Sequence, residues 1–149
     1  MSESPWPDLS GKTILQVIPD LSAGGAERTT VEMAEAITQA GGRALVVSEG
    51  GRLEANLRLA GGELIVMDVA SKNPITVRGN AKRLEALIRE EQVDLIHARS
   101  RAPAWSAYEA AQRTEIAFVT TYHGAYSGES GLKKRYNSVM AKGDLVIAN

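Results

Sequence analysis

The feature that most constrains the fold is a change of period. Short runs rich in β-branched residues recur along the chain, and longer stretches of helical period separate them. "TILQVI" (Thr13 to Ile18), "RALVVS" (Arg43 to Ser48), "ELIVM" (Glu63 to Met67), "VDLIH" (Val93 to His97), "AFVTTY" (Ala117 to Tyr122) and "DLVIAN" (Asp144 to Asn149) read as strands. Several are apolar on both faces, the pattern of a parallel sheet covered on both sides. Between them Met33, Ala36, Ile37 and Ala40 form one helical stripe, which Gly41-Gly42 ends. Val77, Ala81, Leu84 and Ile88 form a second; Ala104, Ala107, Tyr108 and Ala111 form a third, with Pro103 in its first turn. Leu132, Tyr136, Val139 and Met140 form a fourth, ended by Gly143, and a shorter helix covers Leu53 to Leu59. These stripes are core-facing surfaces. Alternation of this kind calls for right-handed crossovers and predicts a doubly wound, mainly parallel α/β sheet of Rossmann-like type.

The composition suits one globular domain. The chain has 149 residues, 44% of them hydrophobic and 23% charged, enough to bury a core. Residues 1–11 read as a polar, proline-broken extension and residues 12–149 as the domain. Seventeen Lys+Arg against eighteen Asp+Glu leave a net charge of -1, so no basic field collects nucleic acid, and none is expected as a partner. Without cysteine there is neither a disulfide scaffold nor a thiolate zinc site. The N-terminal segment lacks an apolar h-region and no run reaches membrane-span length, so the expectation is a cytoplasmic protein.

In a doubly wound sheet, ligands bind beyond the carboxyl ends of the strands. The first strand delivers Pro19, Asp20 and the Gly24-Gly25 junction; the fourth delivers His97, Arg99, Ser100 and Arg101; the fifth delivers Tyr122, His123 and Gly124. Glycine at a strand-to-helix junction permits positive φ and close approach to the backbone, and the following helix offers unpaired N–H groups to an anionic or polar ligand. A tight turn without a ligand is the other reading of the same residues. Both histidines fall in this rim set.

Several chemistries are excluded by spacing. "SAGGAE" is not the G-x-G-x-x-G of a dinucleotide site, and Glu49 is a weak substitute for its acidic partner. A G-x-x-x-x-G-K-[ST] loop is absent, "GAYSGES" does not hold a G-x-S-x-G frame, and two histidines without thiolates make a poor metal site. What is left is a phosphate- or sugar-facing rim without an evident nucleophile.

The residues of that rim carry a resemblance. From about Lys12 to Asn149 the chain resembles the N-terminal, acceptor-side domain of a GT-B-fold retaining glycosyltransferase of family 4. "ILQVIPDLSAGGAERTTVEMAEAI" resembles the family's first strand, glycine loop and first helix; "DLIHARS" its fourth strand and exit; "VTTYHGAY" its fifth; "RYNSVMAKGDLVIAN" its last helix and strand. The resemblance implies transfer of a sugar from a nucleotide-sugar donor to a glycan, lipid-linked or sugar-phosphate acceptor, as in polysaccharide or lipopolysaccharide biosynthesis, without metal or other cofactor. It implies that Gly24 and Gly25 approach donor phosphates and acceptor, and that His123, followed by Gly124, stands beside the transferring sugar as the catalytic residue. Arg99, Ser100 and Arg101 fall where members commonly show H-x-H-S; the arginine at the third position of "HARSR" suits an anionic acceptor. The family continues into a second domain with a basic pair and an E-x7-E motif, which does not follow here. The expectation is therefore an excised half, inactive alone, of a larger hexosyltransferase.

Other features have plainer readings. Glu27 complements the dipole of the first helix, and Trp105 packs inward rather than stacking on a sugar. Lys133, Lys134 and Arg135 form a solvated helix face that also suits weak contact with an anionic membrane. The competing function is a stand-alone Rossmann-like module that binds a sugar phosphate or a protein without turnover.

Overall fold

A computed structural model describes residues 5, 7–122 and 130–148. Six strands form one parallel sheet: β1 (Thr13–Val17), β2 (Arg43–Ser48), β3 (Glu63–Val66), β4 (Leu95–Ala98), β5 (Ala117–Tyr122) and β6 (Leu145–Ala148), in the order β3-β2-β1-β4-β5-β6. The helices are α1 (Gly25–Gln39), α2 (Glu54–Leu59), α3 (Pro74–Glu90), α4 (Arg101–Thr114) and α5 (Gly131–Asn137), the last running into a 3-10 turn at Ser138–Ala141. The expected α/β class and alternation are thus observed. Every strand begins and ends within two residues of its reading.

Two cores flank the sheet. On one face Leu15, Val17, Leu45, Val47, Ile96, Ala98 and Phe118 meet Leu84 and Ile88 of α3 and Ala104, Ala107, Ala110 and Ala111 of α4. The small alanine side chains let α4 lie close to the sheet beside the buried Phe118. On the other face Ile14, Ala44 and Val46 meet Ala34 and Ile37 of α1 and Leu57 of α2. Burying both faces explains the near-continuous apolar runs of β1 and β2. Leu9 joins the second core, and its N–H donates to the Ala40 carbonyl at 2.8 Å.

Helix ends follow the sequence closely. α1 stops at Ala40, where Gly41 has φ +88° and the N–H groups of Gly41 and Gly42 donate to the carbonyls of Thr38 and Ile37. The same device ends α2, with Gly61 at φ +89° and bonds from Gly61 to Arg58 and Gly62 to Leu57. The left-handed residue is glycine in both because a Cβ there is penalised.

Two stripes are corrected. α1 buries Thr30, Ala34 and Ile37, whereas Met33 is 37% exposed. Thr30 hides its polarity by donating its hydroxyl to the Ala26 carbonyl at 2.8 Å, which lets the buried face turn by part of a helical step. Leu132 is 82% exposed, because α5 is only two turns long and passes its contact with the core to Val139 and Met140 in the 3-10 turn.

Candidate functional site

Chain order reverses at β1, whose neighbours are β2 and β4. A crevice opens at that switch point, and the first turns of α1 and α4 both leave from it. Ile18, Pro19, Asp20, Ala26, Glu27, Arg99 and Ser100 line a hollow of about 190 Å³ there.

The glycine junction differs in its physics from the sequence expectation. Gly24 is the N-cap of α1 with φ -78° and ψ 171°, ordinary extended backbone, and Gly25 is the first helical residue. Neither is in the left-handed region, so positive φ is not what glycine supplies there. A Cβ added at Gly25 meets nothing within 4 Å, and one at Gly24 meets only the end of the Glu27 side chain. The chain itself therefore does not demand glycine at 25; the space over it is open. The strict demand lies next door at Gly51, with φ +157°, where a Cβ would meet the carbonyl carbon and oxygen of Leu21 at 2.6 Å. That contact ties the exits of β1 and β2 together, as do the bonds from Leu21 N–H to Gly50 and from Leu53 N–H to Leu21.

Arg99 is the unusual member of the rim. It is 3% exposed, and its Nη1 donates to Gln16 Oε1 at 3.3 Å. Gln16, fully buried in β1, in turn donates through Nε2 to the Thr30 carbonyl of α1 at 3.1 Å. Arg99 Nε is buried without a partner among the described residues. Burial alone holds the guanidinium pKa below the usual arginine range. Arginine remains charged even so.

The other predicted residues distribute as follows. Ser100 is the N-cap of α4 with no side-chain cap bond, and it lines the hollow with Arg99. Arg101 turns away: its Nη1 donates to Asn137 Oδ1 at 2.6 Å and its guanidinium lies 5.6 Å from the Tyr136 ring centre. His123 and Gly124 lie outside the described residues. His97, placed on the rim by sequence, is buried inside β4 instead, with Nε2 and Thr121 Oγ1 at 2.5 Å. β4 runs one residue further than expected, to Ala98, which draws His97 into the sheet. Trp105 donates Nε1 to the Tyr136 carbonyl at 3.1 Å and packs edge-on against Tyr108, the expected inward orientation.

Sequence reasoning missed Gln16 and the pairing of Glu49 with Asp68. The signal for Gln16 was present: one amide in an otherwise apolar strand must be hydrogen-bonded when buried. The carboxyl of Glu49, just past β2, sits above the usual carboxylate range, because it shares a hydrogen bond with Asp68, is partly desolvated and feels the charges of Asp68 and Asp20. Among the described residues no group of three or more His, Cys, Asp or Glu is arranged to hold a metal ion, and no helix is long and apolar enough to cross a membrane.

A parallel six-stranded sheet flanked by helices, with a polar, cation-bearing crevice at its switch point, defines a Rossmann-like α/β domain. More narrowly, the chain belongs to Glycosyltransferase Family 4, whose model matches residues 23–149. A glycosyltransferase from Rickettsia africae ESF-5 is similar at 44% identity with a TM-score of 0.79, covering 92% of this chain and 36% of that one. MurG from Acinetobacter baumannii (TM-score 0.67, 13% identity, 92% of this chain and 41% of MurG) shares the fold. So does sucrose-phosphate synthase from Thermosynechococcus elongatus (TM-score 0.67, 14% identity, 91% of this chain and 41% of the synthase). The fold is that of the N-terminal Rossmann-like half of a GT-B glycosyltransferase. The chain spans 36% of the length of the Rickettsia protein. No curated protein matches it significantly.

Proposed function

We propose that the chain is the acceptor-side half of a retaining glycosyltransferase that moves a sugar from a nucleotide-sugar to a glycan, lipid-linked or sugar-phosphate acceptor. The observation that carries this reading is the open space over Gly25 at the switch point, within the family match that begins at residue 23. Gly24, Gly25, Arg99, Ser100, Arg101 and Gly124 are the substrate-binding residues, and His123 is the catalytic one. The bond from the sugar's anomeric carbon to the diphosphate breaks with its electron pair on the leaving oxygen. The acceptor hydroxyl bonds that carbon on the same face and passes its proton to the departing phosphate. Such a reaction asks the protein for placed donors rather than a nucleophile, and it needs no metal.

The location proposed is cytoplasmic. Lys133, Lys134 and Arg135 on exposed α5 supply weak contact with an anionic membrane face. The test is transfer by the longer protein that contains this chain, given UDP- and GDP-sugars, with product configuration read by NMR. Retained configuration supports the reading. An inverted product overturns the mechanism, and no turnover with any donor overturns the enzyme in favour of a binding module.

A further inference from the structure

We propose that the hollow between the ends of β1 and β4 is an oxyanion pocket of monosaccharide size, and that Arg99 selects an acceptor sugar bearing a phosphate or a carboxylate. The inference rests on the transferase reading and narrows its acceptor. A guanidinium carries five N–H donors, and the described residues offer Arg99 one acceptor, the amide oxygen of Gln16. Its Nε is buried and unpartnered, and no carboxylate among the described residues stands within ion-pairing distance of it. A buried cation without a counter-charge is costly to keep, so the missing anion is one that arrives with a ligand. The second source of positive potential is the start of α1, 15 residues long and without a side-chain cap, which reaches the same hollow through Ala26.

The remaining lining sets the rest of the ligand. Asp20 and Glu27 also border the hollow. Asp20 is engaged by the Ser22 N–H at 2.9 Å. Two carboxylates repel a bare multiply charged phosphate but accept hydrogen bonds from sugar hydroxyls. One anionic group beside several hydroxyls satisfies both sides. At about 190 Å³ the hollow is below the ~300 Å³ from which pockets for drug-sized ligands begin, room for one sugar ring with its anionic group. Arg101, whose Nη1 donates to Asn137 Oδ1, does not line this hollow, so its proposed contact with substrate lies outside it.

The experiment follows the arginine Nε–H resonances of the 15N-labelled chain during titration with glucose 6-phosphate, glucuronate, glucose, inorganic phosphate and UDP. The expected result is a saturable shift of the Arg99 resonance by glucose 6-phosphate or glucuronate, at least roughly tenfold tighter than by glucose or inorganic phosphate. Arg99→Lys, followed through the Gly25 and Ala26 amides, should weaken that binding about tenfold, because lysine lacks the planar fork; Arg78→Lys, in α3, should not. Which acidic sugar saturates first separates a phosphate acceptor from a carboxylate one. The proposal is overturned if Arg99 does not respond, if glucose or inorganic phosphate binds equally well, or if UDP saturates the resonance more tightly than either acidic sugar. Because the readout is binding, transfer that persists without the shift sinks the pocket alone. A shift without transfer in the longer protein sinks the enzyme and leaves the pocket.

Discussion

Gln16 Oε1 accepts a hydrogen bond from Arg99 Nη1 at 3.3 Å, and through it a strand-buried amide is the partner that the described residues give a buried guanidinium. Removing one side of such a pair leaves the other unsatisfied, whereas removing both does not. Gln16→Leu should therefore destabilise the chain by about 2 kcal/mol in urea denaturation. The double variant Gln16→Leu/Arg99→Met should recover the wild-type midpoint or exceed it, since a buried charge is exchanged for apolar volume. Strictly additive losses would show that Arg99 is a structural residue rather than one held ready for a ligand.

Gly25→Val tests the open space at the start of α1. A Cβ there meets nothing within 4 Å, and φ is not left-handed. The melting temperature should move by no more than about 3 °C, the equivalent of roughly 1 kcal/mol for a domain of this size. In the longer protein the branched side chain should fill the space that substrate needs and cut transfer by at least about a hundredfold, roughly 2.7 kcal/mol of barrier. A folded variant with wild-type turnover would remove Gly25 from the site.

The sheet was legible because period and β-branching are local signals; two of the four Gly-Gly pairs, at 41–42 and 61–62, end helices with a left-handed glycine. Side-chain direction was less legible. Met33 was misread because the Thr30 hydroxyl satisfies itself on the Ala26 carbonyl, which a polarity pattern does not register. His97 was misread because a single further residue of β4 decides between rim and interior. Arg99 and Arg101 look equivalent two residues apart, yet one lies under α1 and the other reaches Asn137; the bend into α4 sends them apart. The Glu49–Asp68 pairing was invisible for a different reason: the two residues follow different strands, and only the β2–β3 pairing makes them neighbours.

Glu49 gives the domain a pH dependence of definite sign. Its hydrogen bond with Asp68, then its desolvation and the charges of Asp68 and Asp20, raise its pKa in the folded state. The folded chain thus holds this proton more tightly than the unfolded one, so the stabilising contribution is complete below the ordinary glutamate pKa of about 4.3 and is lost as pH rises through the folded value. Glu49→Gln should match the wild-type melting temperature near pH 4 and exceed it near pH 7, by a small amount because Glu49 is exposed to solvent. A lower melting temperature for the variant at neutral pH would show that the carboxylate is needed in its charged form.

His123 follows the last residue of β5 in sequence, and it is the residue we propose as catalytic beside the transferring sugar. An interaction that strengthens as charge develops lowers the barrier without tightening the ground state. His123→Ala in the longer protein should reduce kcat by about 100-fold to 1,000-fold with little change in acceptor KM. An unchanged kcat would leave His123 as an ordinary loop residue.

The last prediction concerns the 149-residue chain by itself. Two buried clusters flank its sheet, one under α3 and α4 and the other under α1 and α2, so the described domain has the packing to unfold as a unit. The proposed reaction also requires donors around the leaving diphosphate, and the described residues of the rim offer one buried guanidinium and a helix start inside a hollow of about 190 Å³. Affinity depends on how much of a ligand is buried, so an open half-site holds a nucleotide poorly. The chain should therefore show one cooperative thermal transition, little change in melting temperature with UDP or GDP, and no sugar transfer from any nucleotide-sugar. Calorimetry and a transfer assay on the same preparation check all three. Turnover by the chain, or a rise of several degrees with either nucleotide, would place the donor site in this half and overturn its assignment as the acceptor side.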